Sequence, residues 1–346
     1  MIRAIVAAVI AVIAVSAIAD ELVTQKTDYR AVAAAINETM RSYHYDPAEL
    51  DTPPYKRVEA SVATLAETTT SDEAFIEGFR EIWKSGPFSH VELRMAQESA
   101  DDLAAYLDTL RIGGGGAVLT WQDNVAILTV NTMMGLDTIE EIDAAYVSIS
   151  DKNADALIID LRENVGGAFA MRPLVAHLLS EPIDAGSFVS QRWNSKHRRP
   201  PNLIDLKAVD PWNGWSIRTF WADVQNEALT RLSFSPVEPI FSGPVSVLTS
   251  ERTASAAEIA TDALKSSGRA VIIGENTAGK MLSQKIYDVQ GGFHLSLPIA
   301  DYYSAKNGRI EGFGVKPDIE IDAADALITA LRQITLNKSA MRNSEE

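Results

Sequence analysis

The sequence predicts an α/β fold in which a small helical region precedes a larger domain of strands and helices. Short apolar runs rich in β-branched residues, at 156–161, 245–249 and 270–274, have the composition of buried strands. The first two are each followed by a segment with apolar residues at helical spacing. Alternating strands and helices of this kind are typical of α/β domains.

The chain opens with an apolar segment. Arg3 is followed by an unbroken apolar run over residues 4–14, and small residues at 17–19 precede Asp20. This pattern predicts a signal peptide over residues 1–19 and an exported, periplasmic or extracellular protein. An uncleaved membrane anchor is the alternative. No other run approaches spanning length, so we expect no integral membrane segment after signal cleavage.

A helical domain is predicted over residues 20–112. Val32, Ile36 and Met40 lie on one helical face, and later apolar residues such as Phe75 and Phe79 repeat the pattern. Four consecutive glycines at 113–116 predict a flexible joint after this domain.

The second domain is predicted over residues 113–340 and begins with a β-hairpin at 117–130. Asp137 and Glu140 have the spacing of a capping box for a helix that reaches residue 150. The strand at 156–161 and another helix, ending near residue 179, follow. A second hairpin at 284–298 and a closing helix at 323–336 complete the domain.

The charge of the chain disfavours some binding partners, and its composition excludes disulfide bonds. The formal net charge is −16, which disfavours nucleic acid and anionic membrane surfaces as partners. The chain has no cysteine, so disulfides and a lipid-modified N-terminal cysteine are excluded. With 46% hydrophobic residues, an ordinary core must supply the stability.

Ser255 is a candidate nucleophile. It follows the strand at 245–249 and directly precedes a helical pattern that begins at Ala256. A helix N-terminus offers free N–H groups and a positive dipole end, so the Ala256 N–H is a candidate oxyanion donor. Serine is also a common N-cap, and a purely structural cap is the alternative.

Lys280 is a candidate base for that serine. It follows the apolar run at 270–274 and a turn that contains glycine. A desolvated lysine has a lowered pKa and can accept a proton near neutral pH. Gln284 is expected to orient the amine, and the alternative is a solvated loop lysine.

Gly166 and Gly167 follow the buried strand at 156–161. Without a Cβ, a glycine lets its backbone N–H approach a ligand closely. The pair is therefore a candidate for the second oxyanion donor, and a simple tight turn is the alternative.

Four motifs in order resemble the tail-specific protease family, the S41 serine peptidases. They are 160–167 (DLRENVGG), 253–258 (TASAAE), 274–280 (GENTAGK) with Gln284, and 314–318 (GVKPD). The resemblance covers about residues 117–335. It implies the ββα spiral fold shared with ClpP and crotonases. It also implies Ser255 as nucleophile, Lys280 as base with Gln284 as its partner, and an oxyanion hole made by Ala256 with Gly166 or Gly167.

A second assignment of the base is open. The segment Phe88-Ser89-His90-Val91 resembles the histidine segment of the tricorn-like branch of the same family, and Glu311 stands where that branch carries an acidic partner. The resemblance therefore also allows a triad of Ser255, His90 and Glu311. A structural histidine and a solvated turn carboxylate are the alternatives.

Two features of this chain differ from the domain organisation of many family members. Too few residues separate His90 from the first hairpin for a PDZ domain, which weakens any claim that the enzyme grips a free C-terminus. Instead, a long insertion at 183–240 carries four tryptophans and a basic cluster, and lines or covers the site or packs as a small subdomain. These residues are Trp193, Trp212, Trp215 and Trp221, with Arg192, Lys196, His197, Arg198 and Arg199.

The leading functional hypothesis is a serine endopeptidase that hydrolyses exported polypeptides through an acyl-enzyme, without a metal or other cofactor. The alternative class is a non-catalytic module that binds a peptide or an apolar ligand on the same fold. An acyl-CoA enzyme of the crotonase class does not need the serine and lysine motifs. The substrate, its cleavage specificity and the oligomeric state are left open.

Overall fold

A computed structural model of the protein describes residues 27–345, with side chains described through residue 336. The predicted signal peptide lies outside the described residues. The N-terminal part is helical up to one short strand. Its elements are α1 (Tyr29–Tyr43), a 3₁₀ turn (Glu49–Asp51), α2 (Pro53–Thr68), α3 (Asp72–Trp83), β1 (Glu92–Met95) and α4 (Ala100–Thr109).

The rest of the chain alternates strands and helices, as the sequence predicts. The elements are β2 (Ala117–Gln122), β3 (Val125–Val130), α5 (Leu136–Asp151), β4 (Ala156–Asp160), α6 (Met171–Ala176), β5 (Ile183–Ser190), α7 (Gln191–Asn194), α8 (Leu203–Lys207), α9 (Ile217–Asn226), β6 (Leu229–Phe234), β7 (Val245–Thr249), α10 (Ala256–Ser266), β8 (Val271–Gly274), β9 (Ser283–Val289), β10 (Phe293–Ser304), β11 (Gly308–Arg309), β12 (Ile319–Glu320) and α11 (Ala323–Glu345). Both predicted hairpins are confirmed, as β2–β3 and β9–β10.

One sheet has the strand order β12-β8-β7-β4-β3-β2. All its pairs are parallel except the β2–β3 hairpin. Its central strands β4 and β7 are apolar and covered on both faces, as parallel strands usually are. On one face Ala326 and Ala330 of α11 pack against Ile158 and Leu248, and on the other the main core begins.

The second sheet is antiparallel and has the order β1-β10-β5-β6, with β9 and β11 also paired to β10. β1 pairs with β10 from Glu92↔Ser296 to Met95↔Phe293. This strand, Glu92–Met95, lies within the region that the sequence predicts to be helical, residues 20–112. Its four residues are too few to display a strand period, and its partner is about 200 positions away in the chain.

The helical N-terminal region and the α/β region share one hydrophobic core. Buried residues of α1 to α3, such as Ile36 and Phe79, belong to the same cluster as Leu157 and Phe293. The predicted domain boundary at residue 112 is not marked by a break in the hydrophobic core, since the core contains residues from both sides of it. The boundary stays a prediction.

The glycine run is held more firmly than a flexible joint would be. The Asp137 carboxylate accepts N–H bonds from Ile112, Gly113 and Gly114 at 2.8 to 3.0 Å. Glu141 does the same for Gly115 and Ala117. The capping-box expectation for Asp137 is therefore wrong: α5 has Gly135 at its N-cap, and the carboxylate fastens the preceding chain.

The segment 183–240 contributes both sheet strands and loops. β5 and β6 pair with each other, and β5 pairs with β10, so these parts belong to the antiparallel sheet. Within the described residues, no helix is both long enough and apolar enough to cross a membrane.

Candidate active site

Three turns that carry the motif residues meet at one edge of the parallel sheet. β4, β7 and β8 are neighbours, so their carboxyl ends lie side by side. The Gly166-Gly167 turn follows β4, Ser255 follows β7, and the loop with Lys280 follows β8. The crevice at the carboxyl ends of parallel strands is the usual ligand site in α/β folds.

Ser255 is held in an uncommon backbone conformation. Its φ is 55° and its ψ is −124°, directly before the first residue of α10. A non-glycine residue in such a conformation costs about 1–3 kcal/mol and persists only when its surroundings hold it there. The Ser255 N–H donates to the Lys280 carbonyl at 3.1 Å and to the Glu258 carboxylate at 3.0 Å. These bonds fix the turn that presents the hydroxyl.

Glu258 is the polar centre of this arrangement. Its buried carboxylate accepts the Ser255 N–H, the Thr277 hydroxyl at 2.6 Å, and the N–H groups of Gly279 and Lys280 at 2.8 and 3.0 Å. Burial raises the pKa of the Glu258 carboxyl, and these donors oppose the rise. The side chain thus ties the serine turn to the loop after β8.

The Gly-Gly turn leaves one of its two N–H groups free. Asn164 Oδ1 accepts the Gly166 N–H at 2.8 Å, while the Asn164 amide donates to the Val130 carbonyl at 2.9 Å. Within the described chain, the N–H groups of Gly167 and Ala256 have no hydrogen-bond acceptor. Of the three predicted oxyanion residues, Gly167 and Ala256 therefore have available donors and Gly166 does not.

Gly166 has a different role, which is steric. Its φ is +102°, and a Cβ there would stand 2.6 Å from the Ser255 Cβ and 3.3 Å from the Ala256 N. A side chain at this position would press on the serine and cover the Ala256 N–H. Glycine keeps both accessible.

A cavity of about 400 Å³ opens beside Ser255. We call it the Ser255 cavity. Ser255, Ala256, Gly167, His90 and Gln284 line it together with many apolar side chains. The structure thus places five of the candidate site residues around the same cavity.

His90 stands two residues before β1, so the pairing of β1 with β10 positions it. Its φ is 62°, so His90 is, with Ser255, one of two non-glycine residues with positive φ that line the cavity in the described chain. The Ser89 hydroxyl lies 2.6 Å from His90 Nδ1. Burial lowers the pKa of the imidazole, the Glu311 carboxylate raises it, and the Lys280 ammonium lowers it.

Glu311 is buried but does not hydrogen-bond to His90 among the described contacts. Its Oε2 accepts the N–H groups of Met281 and Leu282 at 2.6 and 3.2 Å. The carboxylate therefore holds the two residues that precede β9 and acts on His90 through its charge.

Lys280 approaches Ser255 with its backbone and not with its side chain. Its carbonyl accepts the Ser255 N–H, but its side chain is exposed to solvent and is not among the residues that line the cavity. The expected desolvation is absent at this position. No hydrogen bond among the described residues joins Gln284 to Lys280, although Gln284 reaches the cavity.

Three contributors were not recognised from the sequence as parts of the site. Glu258, Asn164 and Ser89 make the contacts that hold Ser255, the Gly-Gly turn and His90. The signal for Glu258 was present, because serine followed three positions later by glutamate has capping-box spacing. Asn164 and Ser89 have no comparable pattern.

The four tryptophans of segment 183–240 lie in three environments, and Trp215 is the exposed one, beside Phe169. Trp212 and Trp221 line the Ser255 cavity with Phe188 and Phe220. Trp193 instead packs in a separate small cluster with Val189, Leu206 and Leu229. The basic cluster at 192–199 does not contribute to the described cavity lining, and Arg199 pairs with Asp205.

A profile of peptidase family S41 matches residues 124–321, more than half of the chain. The chain belongs to peptidase family S41. This membership confirms the resemblance carried by the four motifs.

Two relatives are similar over half of the chain. Carboxyl-terminal-processing peptidase 1, chloroplastic, of Arabidopsis thaliana is 28% identical over 174 residues, which are 50% of this chain and 29% of the relative. The carboxyl-terminal-processing protease of Picosynechococcus sp. is 27% identical over 179 residues, 51% of this chain and 34% of the relative. The chain thus spans about a third of the length of these relatives.

Solved structures of similar fold cover most of the chain. A protein of Parabacteroides merdae has a TM-score of 0.61 at 15% identity, over 89% of this chain and 97% of that chain. The photosystem II D1 C-terminal processing protease has a TM-score of 0.52 at 14% identity, over 86% and 94%. The α/β fold of S41 proteases is therefore confirmed.

Proposed function

We propose that the protein is a serine endopeptidase that hydrolyses peptide bonds of exported polypeptides through an acyl-enzyme. The observation that carries the proposal is the strained Ser255 turn, with free Gly167 and Ala256 N–H groups at the same cavity. Such a turn, with backbone donors beside it, is the arrangement that acyl transfer requires.

We assign the base to His90. It lines the cavity with Ser255, whereas the Lys280 side chain is exposed outside the lining. If the Ser89 hydroxyl accepts from Nδ1–H, Nε2 carries the lone pair that takes the proton. The charge of Glu311 then stabilises the imidazolium that forms. The Ser255/Lys280 dyad with Gln284 is the competing assignment.

The reaction proceeds in two halves. Ser255 Oγ attacks the scissile carbonyl carbon as His90 removes its proton, and the oxyanion accepts N–H bonds from Gly167 and Ala256. His90 returns the proton to the leaving amine, the C–N bond breaks, and an ester to Ser255 remains. A water molecule, deprotonated by His90, then attacks the ester, and proton return to Oγ releases the acid.

The apolar segment at residues 1–19 supports a site of action outside the cytoplasm. The relatives named above are processing proteases, and one of them is chloroplastic. Polypeptides that meet the enzyme after export are the proposed substrates.

Ser255→Ala tests the proposal. We expect kcat/KM on casein and peptide libraries to fall by about 10⁴-fold or more, because the nucleophile is lost. The melting temperature should stay near that of the wild type. A fluorophosphonate probe should label the wild-type protein at Ser255 only. Turnover at the wild-type rate in the variant would refute the assignment, and a folded protein that is neither active nor labelled would favour a binding module.

A further inference from the structure

The Ser255 cavity is apolar but carries uncompensated positive charge. Its apolar lining comes from several elements, for example Leu103, Phe188, Trp221, Leu232 and Ile286. Two arginines, Arg94 and Arg172, also line it. Within the described chain, no aspartate or glutamate is among the lining residues. In a protein with a net charge of −16, this local excess of cations is unusual.

Arg172 is the more enclosed of the two. It lies on α6, just after the Gly-Gly turn, and its guanidinium carbon is 5.1 Å from the ring centres of both Trp212 and Trp215. One guanidinium nitrogen, Nη2, donates to the Trp212 carbonyl at 3.0 Å. The aromatic faces and this bond hold the group in a defined orientation.

The guanidinium nevertheless has unused hydrogen-bonding capacity. Its Nε is buried and has no partner among the described residues. No carboxylate pairs with it there, although other partly buried arginines of the chain, such as Arg231 and Arg309, each have one. Even a partly buried cation is costly without a counterion, and desolvation lowers the pKa of Arg172. An anionic ligand would remove this cost.

We propose that the Ser255 cavity binds substrate segments that combine a large apolar side chain with a carboxylate, and that Arg172 is the residue that pairs with the carboxylate. The planar guanidinium suits a carboxylate because it can donate two parallel N–H bonds. The surrounding aromatic and aliphatic side chains bind the apolar group. The carboxylate belongs either to the C-terminus of the substrate or to an aspartate or glutamate side chain.

This inference rests on the proposed peptidase function, so its test uses binding and not turnover. The protein is the full chain with Ser255→Ala, and tryptophan fluorescence reports occupancy because Trp212 and Trp221 line the cavity. The probes are N-acetyl-Phe-Leu-Phe as free acid and as amide, and N-acetyl-Phe-Asp-Phe-amide with its Asn counterpart. The first pair tests a terminal carboxylate and the second tests a side-chain carboxylate.

We expect at least one carboxylate peptide to bind ten times more tightly than its neutral partner at pH 7.5. Adding Arg172→Met should reduce this ratio below threefold, and Arg172→Lys should leave an intermediate ratio because the charge remains without the planar fork. Arg94→Met is the matched control: Arg94 lines the same cavity but is exposed, so the ratio should stay above fivefold.

Three results would overturn the inference: no preference for either carboxylate, a preference that Arg172→Met leaves unchanged in a folded protein, or one that depends on Arg94 alone. Fluorophosphonate labelling of the wild-type protein separates this failure from failure of the proposed function. If Ser255 is labelled but no carboxylate preference appears, the peptidase assignment stands and the role of Arg172 falls.

Discussion

Two basic residues approach Ser255 from opposite parts of the chain, and their surroundings differ. His90 comes from the N-terminal region, is partly buried, and lines the Ser255 cavity next to the Ser89 hydroxyl. Lys280 comes from the loop after β8, and only its backbone contacts the serine turn while its ammonium is exposed. The proposed assignment of the base therefore depends on which side chain reaches the cavity, because both residues belong to motifs of the family.

The comparison also shows how the two regions depend on each other. His90 reaches the cavity only because β1 pairs with β10, which joins the N-terminal helices to the sheet. Lys280 is tied to the same site through Glu258, which accepts its N–H. The Lys280 charge in turn lowers the pKa of His90. The lysine therefore acts on the histidine electrostatically.

The largest expected difference between the two residues is in kcat/KM. His90→Gln and His90→Asn should each lower it by about 10²–10⁴-fold, the usual contribution of a general base. Asn is included because it tolerates the positive φ of this position. Lys280→Met, the matched variant, should leave kcat/KM at pH 8 close to the wild-type value, because the Lys280 side chain is exposed and does not line the Ser255 cavity. Equal losses in the His90 and Lys280 variants would remove the distinction.

Gly166→Ala should reduce kcat/KM by roughly 10²-fold, because the new Cβ presses on Ser255 and covers an oxyanion donor. Gly268→Ala is the control: Gly268 also has a positive φ (+72°), but its Cβ would meet open space. The control should lose about 1 kcal/mol of stability, because alanine disfavours a positive φ, and it should keep full activity. If both variants have wild-type activity, the geometry of the oxyanion site is wrong.

Glu258→Gln should lower the free energy of unfolding by about 2 kcal/mol, because an amide N–H₂ would face backbone donors that the carboxylate now satisfies. It should also reduce kcat/KM, since the Ser255 turn loosens. Glu141→Gln is the matched variant, because the Glu141 carboxylate accepts two backbone N–H groups, from Gly115 and Ala117, and does not line the Ser255 cavity. The Glu141→Gln variant should be less stable than the wild type but have full activity. Urea denaturation and turnover, measured on the same samples, distinguish a loss of stability from a loss of activity. Wild-type stability and activity in Glu258→Gln would show that Glu258 does not support the site.

Much of this architecture was predictable because it follows local patterns. The apolar β-branched runs became β4, β7 and β8, and both hairpins formed where alternation and turn residues indicated them. Ser255 was predicted at a strand-to-helix turn, and it lies there. These features depend on neighbours within a few residues, which a sequence displays directly.

The rest depends on contacts between distant segments. β1 forms only because β10 pairs with it, and the exposure of Lys280 depends on how its loop packs against Glu258 and Glu311. Asp137 has capping spacing, yet its carboxylate fastens the glycine run that precedes it by more than twenty positions. The spacing of residues in a sequence does not show which of two sets of backbone N–H groups a carboxylate will accept.

The pH dependence of kcat/KM tests the central assignment most directly. A base is active when deprotonated, and burial lowers the pKa of His90. The acid limb of the wild-type profile should therefore lie below pH 6.5, the ordinary value for histidine. Lys280→Met removes a nearby positive charge, so it should raise the pKa of His90 and move the limb upward without loss at the plateau. Loss of the plateau rate in Lys280→Met, with the plateau kept in His90→Gln, would contradict the account.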